Sequence, residues 1–306
     1  MGATGTGKTA LALELARSSP DCYELVSVDA MAVYRELDLG TAKPTRAEQA
    51  AVCWHLIDIV DPSEEFSVAA FQTEARRALS GIEDRGHVPL LVGGTGLYHR
   101  AILDGLDIPG RFPRQAAELE HRADQPGGLE ELFGRLCELD PVAASRVEPG
   151  NRRRIVRALE VTLGSGRPFS SFGPGLIAYP PTGSTIVGLE RCRSELDRRL
   201  AERFEDQLAR GLLEEVRALS ARPAGLSRTA RQAIGYRELL RHVEEGIPLE
   251  LAKAEAVRRL RAFARRQEAW FRRDPRVVWM AADRGDLCDA VRARLGGTAT
   301  AEAVRH

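Results

Sequence analysis

The sequence begins with Met1 followed by GATGTGKT, residues Gly2–Thr9, and then runs directly into a helical pattern. This stretch matches the phosphate-binding pattern G-x-x-x-x-G-K-[ST] in full. In that pattern, backbone N–H groups of a glycine-rich turn surround phosphate oxygens, and the start of the next helix adds partial positive charge. The Lys8 ammonium is predicted to reach a terminal phosphate and the Thr9 hydroxyl to ligate Mg²⁺. The stretch predicts a phosphate site but specifies no reaction.

The competing interpretation of Gly2–Thr9 is a turn that only begins a helix. The presence of a lysine at position 8 argues against this interpretation, because the chain contains 41 arginines and only three lysines. A lysine retained in so arginine-rich a chain favours a specific role for Lys8.

Outward from this stretch, short apolar runs alternate with helical patterns, which is typical of a parallel sheet wound with helices. We predict an α/β fold with a P-loop-type parallel sheet in residues 1–108 and 182–306, ending in a helical C-terminal region, and an inserted helical domain at 109–181. The predicted strands are 24–28, 88–92, 184–189 and 277–280, the last returning to the sheet. The predicted helices include 10–16, 68–82, 97–103, 129–139 and 152–163, with nearly everything from 190 to 273 helical apart from breaks at 221–229 and 246–248.

A buried strand should precede the glycine stretch, yet the sequence begins one residue before Gly2. A sheet without this strand would leave N–H and C=O groups of its neighbours unpaired. We therefore expect a longer native chain in which an upstream apolar segment supplies the strand.

Composition places the chain in the soluble globular class, with 306 residues of which 43% are apolar and 29% charged, and excludes disorder and fibres. No apolar run approaches the roughly 20 residues needed to span a bilayer, and the first residues lack the features of a signal peptide. We expect a cytoplasmic protein without membrane association. The five cysteines have no C-x-x-C spacing, which favours reduced, structural thiols.

The net charge of zero conceals a division between the two halves of the chain. Residues 1–150 carry 14 basic against 24 acidic side chains, and residues 151–306 carry 30 against 20. The second half is therefore a candidate surface for a polyanion. Its basic residues cluster in a predicted helix near 251–273, where Arg258, Arg261, Arg265 and Arg272 fall on one side, and in a second helix that starts with Arg152–Arg154 after the cap residue Asn151. Solvated helix faces are the competing interpretation.

Two segments directly follow predicted strands, at the edge where open α/β sheets bind ligands. The first begins with Asp29, and the second is Gly93–Tyr98. Asp29 is a candidate base or magnesium ligand, or else a helix cap or turn residue. Because Val92 is followed by Gly-Gly-Thr and not by an aspartate, hydrolysis of a nucleoside triphosphate is less expected. A small-molecule kinase stays open on these motifs.

Several motifs in order resemble those of the tRNA dimethylallyltransferase family, also called tRNA isopentenyltransferases, along essentially the whole chain. The matching stretches are Gly2–Thr9, Ser27–Tyr34, Asp38–Pro44, His55–Asp58, Leu91–Tyr98, Arg157–Val161, Gln232–Glu238 and Ala264–Gln267 with Trp270–Arg272. The resemblance implies transfer of a dimethylallyl group from dimethylallyl diphosphate to N6 of the adenosine 3′-adjacent to the anticodon in tRNA. The substrates would be dimethylallyl diphosphate and the tRNA anticodon stem-loop, with Mg²⁺ as cofactor, a monomeric enzyme, and the 109–181 insertion against the anticodon loop.

The resemblance also implies roles for individual residues. Asp29 would accept a proton or hydrogen bond from N6, with Thr4 and Arg237 as further catalytic groups and Arg237 as a second clamp on the diphosphate. The diphosphate would be held by Gly2, Thr4, Gly5, Thr6, Gly7, Lys8 and Thr9, with Thr9 also the metal ligand. The tRNA would contact Asp29, Ala30, Met31, Ala32, Thr95, Arg153, Arg154, Arg157, Gln232, Arg237, Arg261, Arg265 and Arg266.

Residues 29–32 depart from the family's usual Asp-Ser-Met-Gln, because Ala30 and Ala32 replace the hydroxyl and the amide. Two groups that could recognise the adenine of the tRNA substrate are therefore absent. Two alternatives remain: a P-loop kinase or nucleotide-binding module in which Lys8 meets ATP, and a prenyltransferase acting on free adenine nucleotides. The basic helices argue against the second, since a free nucleotide needs no such surface.

Overall fold

The computed structural model of the chain describes residues 1–19, 22–173, 175–176 and 178–302. They form two compact units, one made of Met1–Leu103 and Pro181–His306 and the other of Asp104–Pro180. No helix in these described ranges has the length and apolar character that a bilayer crossing requires. Each unit is built around its own apolar core.

The first part of the larger unit is a parallel three-stranded sheet with helices packed on it. The elements are α1 (Lys8–Arg17), β1 (Tyr23–Val28), α2 (Arg46–Ala51), β2 (Trp54–His55), α3 (Val68–Asp84), β3 (Val88–Gly93) and α4 (Gly96–Leu103). Strand β1 lies in the middle, with β2 on one side and β3 on the other. Because Val28 is in register with Gly93, the segments that follow β1 and β3 leave the sheet at the same edge.

The smaller unit contains only helices in its described residues. They are α5 (Pro113–Ala123), α6 (Gly128–Leu139), α7 (Pro141–Ala144) and α8 (Arg152–Ser165), followed by a 3₁₀ turn at Phe169–Ser171. Leu132, Leu136, Ile155 and Leu159 bury the apolar faces of α6 and α8 against each other. The side chain of Asn151 accepts a hydrogen bond from the N–H of Arg154, which confirms the predicted cap.

The chain then returns to the larger unit and is mostly helical. The elements are β4 (Val187–Glu190), α9 (Arg193–Ala209), α10 (Leu212–Ser220), α11 (Tyr236–Glu245), α12 (Leu249–Phe271), β5 (Val278–Ala281) and α13 (Leu287–Glu302), with a 3₁₀ turn at Ala230–Gln232. The predicted α/β class with a parallel sheet and many helices is confirmed. The boundary between α9 and α10 was not predicted; it falls at Gly211, whose φ of +102° is readily adopted only by glycine.

The last strand does not return to the three-stranded sheet as predicted. Strand β5 pairs in parallel with β4 in a separate two-stranded sheet. The other edge of β4 is occupied by the first two residues: Leu189 donates to the Met1 carbonyl at 2.8 Å, and Gly2 forms a parallel bridge with Leu189. Among the described residues, β4 and β5 therefore form a sheet separate from the three-stranded one.

Candidate active site

The glycine stretch forms a compact turn at the start of α1. Gly5 and Gly7 have φ angles of +86° and +97°, a left-handed conformation that costs other residues free energy. A Cβ at Gly5 would lie 3.0 Å from the side chains of Leu196 and Leu200, so α9 closes over this side of the turn. The Thr6 hydroxyl donates to the Ala3 carbonyl at 2.9 Å. The turn therefore has a fixed shape, supported by α9, with the N-terminus of α1 directly behind it.

Two cations lie at this turn. The Lys8 ammonium donates to the Ala3 carbonyl at 2.7 Å, and the Arg203 guanidinium, from α9, donates to the Thr4 hydroxyl at 2.8 Å. Burial, together with the positive charge of Arg203, lowers the pKa of Lys8 to about 8, against a smaller raising effect of Asp29. Burial also lowers the pKa of Arg203. Positive charge is concentrated here with few counter-ions, which is the electrostatic setting of an anion site.

The Arg203 guanidinium also has an unsatisfied donor. Its Nε is buried and has no hydrogen-bond partner among the described residues. A buried donor without a partner costs roughly 1–3 kcal/mol.

Asp29 follows β1 directly and belongs to the same site. Its Oδ1 accepts hydrogen bonds from the N–H groups of Met31 at 2.8 Å and Ala32 at 3.3 Å. Asp29 is therefore a turn residue through its Oδ1, as one of the two interpretations expected. Its Oδ2 takes part in no described hydrogen bond. The carboxylate partly offsets the lowering of the pKa of Lys8 and of Arg203 that burial causes. The structure thereby places Asp29 within electrostatic reach of the phosphate turn, with one oxygen fixing its orientation and the other available.

The segment after β3 joins the same edge. The Thr95 hydroxyl accepts a hydrogen bond from the N–H of Ala30 at 3.1 Å, and the N–H of Thr95 donates to the Val28 carbonyl at 3.3 Å. Gln267, from α12, accepts from the N–H of Thr4 and donates to the Gly94 carbonyl, both at 2.8 Å. The predicted convergence of Gly2–Thr9, Asp29 and Thr95 is thus observed, and Gln267 connects two of the three segments.

His99 lies in α4 beneath this edge. It is buried and its Nε2–H donates to the Gly93 carbonyl at 3.2 Å. Burial lowers the pKa of His99 to about 3, so the imidazole is a much weaker proton acceptor than an ordinary histidine. Asp29 is therefore the better candidate for a base at this edge.

Lys43 has a structural environment that the sequence did not reveal. Its side chain is 2% exposed, and its Nζ donates to the Tyr34 carbonyl at 2.5 Å, to Asp38 at 2.6 Å and to Asp58 at 2.5 Å. The Lys43 ammonium thus joins two stretches that the sequence analysis identified, Asp38–Pro44 and His55–Asp58. It also contacts Tyr34, which ends the segment that begins near Asp29.

Arg237 and Gln232, both predicted to contact substrates, are exposed side chains at the α11 end of the larger unit. No described hydrogen bond or ion pair links either side chain to the glycine turn. Their predicted roles stay predictions. The arginine that donates to the turn is Arg203, which sequence reasoning missed.

The spacing of α9 contained a signal for Arg203. Leu196, Leu200 and Phe204 are buried at intervals of four, and position 203 falls three residues after Leu200, on the edge of the same face. Arg193 shares this position beside the buried face, and the other two arginines of α9 are exposed, so the spacing reduces the candidates to Arg193 and Arg203.

The predicted RNA-contacting arginines fall into two groups. Some have local acidic or carbonyl partners: Arg157 binds Glu160 at 2.7 Å and the Pro109 carbonyl at 2.8 Å, and Arg261 donates to the Asp197 carbonyl at 3.3 Å. On α12, Arg258 pairs with Glu255 and Arg272 with Glu190. The others, Arg153 and Arg154 on α8 and Arg265 and Arg266 on α12, are exposed and have no ion pair among the described residues. The unpaired arginines carry the positive charge available to a polyanion.

Together, the parallel sheet, the glycine turn and the edge aspartate define an α/β protein with a candidate phosphate-binding site next to a candidate base. Comparison with known proteins places it more closely. The family model described as IPP transferase matches residues 32–274, and the chain belongs to this family.

Relatives of known name match over nearly the full length. The chain is 46% identical over 293 residues to the tRNA dimethylallyltransferase of Roseiflexus castenholzii, covering 94% of this chain and 93% of that protein. It is 46% identical over 286 residues to the tRNA dimethylallyltransferase of Kocuria rhizophila, covering 94% of this chain and 88% of that protein.

Solved structures agree. The full-length tRNA isopentenylpyrophosphate transferase of Bacillus halodurans superposes with a TM-score of 0.70 at 33% identity, covering 99% of this chain and 97% of that one. A eukaryotic dimethylallyltransferase acting on tRNA superposes with a TM-score of 0.78 at 26% identity, covering 95% of this chain and 76% of that one. The sequence-based family assignment is confirmed, and the protein is a transferase.

Proposed function

We propose that the protein transfers a dimethylallyl group from dimethylallyl diphosphate to N6 of the adenosine 3′-adjacent to the anticodon in tRNA, releasing diphosphate. The observation that carries the proposal is that the glycine turn and the loop that begins with Asp29 lie at one edge of the sheet, where hydrogen bonds join both to the segment after β3. A leaving diphosphate and an attacking amine need this combination of an anion site and a neighbouring base. The names of the relatives supply the two substrates.

The diphosphate end of the donor belongs at the glycine turn. Backbone N–H groups and the N-terminus of α1 favour phosphate oxygens, and Lys8 and Arg203 supply full charges. Binding would give the Arg203 Nε the acceptor that it lacks. Since negative charge on the diphosphate grows as its bond to carbon breaks, these cations stabilise the transition state more than the bound substrate.

The Asp29 carboxylate serves as the base for the acceptor. The N6 lone pair forms a bond to the allylic carbon, the carbon–oxygen bond to diphosphate breaks with its electron pair on oxygen, and an N6 proton passes to Asp29. The Met31 and Ala32 N–H groups hold Oδ1, which orients the remaining oxygen toward the acceptor. The adenosine must leave its stack in the anticodon loop to reach this edge.

Mg²⁺ fits the donor set at the turn. The Thr9 hydroxyl, in the first turn of α1, makes no described hydrogen bond of its own, and hydroxyl and phosphate oxygens are hard donors of the kind that Mg²⁺ prefers. When bound, the ion would neutralise charge on the leaving diphosphate.

For the tRNA, the proposal assigns the phosphate backbone to the unpaired arginines. Arg265 and Arg266 project from α12, the helix whose Gln267 contacts the turn, and Arg153 and Arg154 begin α8 in the smaller unit, which would contact the anticodon loop. A monomer acting in the cytoplasm, where unmodified tRNA is present, completes the proposal.

The test is incubation of the protein with unmodified tRNA and dimethylallyl diphosphate, followed by mass analysis of the nucleosides. We expect an adenosine heavier by one dimethylallyl group at the position 3′ to the anticodon. Parallel reactions with free adenine nucleotides and with ATP test the alternatives. Prenylation of the free nucleotide without tRNA product, or tight ATP binding without binding of the prenyl diphosphate, would refute the proposal.

A further inference from the structure

A second polar cluster lies at the opposite end of β1 from Asp29. Glu24 is the second residue of the strand, five residues before Asp29, which separates their Cα atoms by about 17 Å at roughly 3.3 Å per residue. Its side chain is 5% exposed and lines a cleft of about 420 Å³ together with Cys53, His55, Arg85 and His87. The transferase chemistry uses none of these groups.

Three of these side chains carry ligand atoms that converge. The His55 Nε2 lies 2.6 Å from the Glu24 Oε2 and 3.5 Å from the Cys53 Sγ, and the three atoms all lie within 4.8 Å of one another. Cys53 directly precedes β2 and its carbonyl accepts a hydrogen bond from the N–H of Leu25 in β1 at 2.9 Å. In extended backbone, residues two apart, such as Cys53 and His55, point to the same face. The strand geometry thus presents thiol, imidazole and carboxylate together.

The spacing fits a tetrahedral transition-metal site. With Zn–S of roughly 2.3 Å and Zn–N of roughly 2.0–2.1 Å, sulfur and nitrogen ligands lie about 3.6 Å apart. The observed separation of 3.5 Å between Cys53 and His55 needs no rearrangement. The contact between His55 and Glu24 would open by less than about 1 Å, to a ligand–ligand distance of roughly 3.3 Å.

We propose that Cys53, His55 and Glu24 form a binding site for a zinc-type divalent transition metal, with its fourth position open to the cleft. This inference is independent of the transferase proposal. Zinc-type metals prefer thiolate and imidazole ligands, whereas Mg²⁺ and Ca²⁺ prefer oxygen ligands.

The surroundings provide the supporting groups of a metal site. Arg85 donates to both Glu24 oxygens at 2.8 Å, and His87 Nδ1 lies 2.8 Å from Oε1. Such outer partners orient the ligands of protein metal sites. Arg85 also offsets the Glu24 charge, so a divalent ion bound with the Cys53 thiolate leaves the cluster with a single net positive charge.

A structural ion pair is the competing explanation, and it accounts for only part of the cluster. Arg85 alone satisfies the buried carboxylate, and neither Cys53 nor a cleft is needed for that purpose. Because the thiolate and not the thiol ligates metals, metal binding must release the proton of a Cys53 thiol.

The experiment titrates the metal-free protein with Zn²⁺ alone by calorimetry and with Co²⁺ alone by absorbance. We expect one ion per chain, release of about one proton per ion, and a thiolate-to-cobalt charge-transfer band in the near ultraviolet. Cys53→Ser should remove the band and weaken Zn²⁺ binding more than about 100-fold, and His87→Gln should weaken it about 10- to 100-fold. Cys137→Ser, at an exposed cysteine in the other unit, is the matched control and should change neither.

The wild-type Co²⁺ titration decides the matter even if a variant fails to fold. A protein with native circular dichroism that binds Co²⁺ without a thiolate band would overturn the proposal. Zinc affinity that is the same in wild type and in folded Cys53→Ser and His55→Gln variants would overturn it as well.

Discussion

The side-chain amide of Gln267 joins the backbone of Thr4 to that of Gly94. Its Oε1 accepts from the Thr4 N–H and its Nε2 donates to the Gly94 carbonyl, both at 2.8 Å. The residue is 7% exposed, and a Cβ at Gly94 would lie 2.4 Å from its Nε2. One amide from α12 therefore sets the distance between the phosphate turn and the loop after β3.

Replacing Gln267 with leucine should damage both stability and catalysis. Two largely buried backbone groups lose their partners, at a cost of about 1–3 kcal/mol each, and Thr4 loses its fixed position. We expect a lower free energy of unfolding in denaturant titration and a fall in kcat/KM for dimethylallyl diphosphate of about ten-fold or more. Gln125→Leu, at an exposed glutamine, controls for the added apolar side chain. If the two variants had the same free energy of unfolding and the same kcat/KM, Gln267 would have no role in positioning the glycine turn.

Asp29→Asn separates the chemical role of this residue from its turn role. Asparagine can still accept the Met31 N–H, so the turn is preserved, but it cannot accept a proton. We expect kcat to fall by about 10²–10⁴-fold, with diphosphate affinity changed far less, measured by single-turnover kinetics and by calorimetry. Turnover within a few-fold of wild type would remove Asp29 as the base.

Arg203 and Arg237 are the two candidates for the arginine that binds the diphosphate. Arg203 contacts Thr4 and has a buried unpaired Nε, and Arg237 is exposed. We expect Arg203→Gln to lower kcat/KM for dimethylallyl diphosphate by about 100-fold, the scale on which a lost donor to developing negative charge acts, and Arg237→Gln to have a smaller effect on this constant. The reverse order would restore the sequence-based assignment of Arg237.

Diphosphate binding should be coupled to protonation of Lys8. The pKa of Lys8 is lowered to about 8 in the free protein, first by burial and then by Arg203, and a bound anion raises it again. Above pH 8, Lys8 is mostly neutral before binding and charged afterwards, so binding takes up a proton and affinity falls as pH rises. Calorimetry at pH 8.5 in buffers of different ionisation enthalpy measures the uptake, and Lys8→Gln should show correspondingly less.

The unpaired arginines of α12 should account for more of the salt dependence of tRNA binding than the paired ones. Arg265 and Arg266 have no described ion pair, whereas Arg258 is held by Glu255 and Arg272 by Glu190. Replacing Arg265 and Arg266 with glutamine should reduce the slope of log affinity against log salt by about one per arginine. The matched pair Arg258→Gln and Arg272→Gln should change it less. Similar slopes in the two double variants would place the RNA elsewhere.

The sequence predicts the parts of this site that depend on local pattern. Glycine spacing and the lysine identify the phosphate turn, and the ends of the apolar runs identify Asp29 and Thr95, because parallel strands expose their carboxyl ends at one edge. Arg203 and Gln267 reach the site from helices more than 150 residues further along the chain. Their local sequence does not indicate which strand loops these two helices pack against. The contacts of Arg203 and Gln267 with the site are therefore known only from the tertiary fold.

The arrangement of β4 and β5 was beyond local pattern for a similar reason. Both strands are short, and each was predicted from its apolar residues. Their separation from the larger sheet depends on which backbone occupies the other edge of β4, and that edge is taken by Met1 and Gly2. Strand pairing is a property of partners, which apolar spacing along one segment does not specify.

Lys43 illustrates how a side chain's shape can override the compositional trend of a whole protein. The chain uses arginine almost wherever it needs a cation, yet at residue 43 three oxygens from Tyr34, Asp38 and Asp58 converge on a single nitrogen that is nearly shut off from water. An ammonium can point its hydrogens at three such neighbours, whereas a flat guanidinium of greater bulk cannot. An otherwise routine exchange of one basic residue for the other is thereby barred at this position, and protein engineers who recode the chain should leave it untouched.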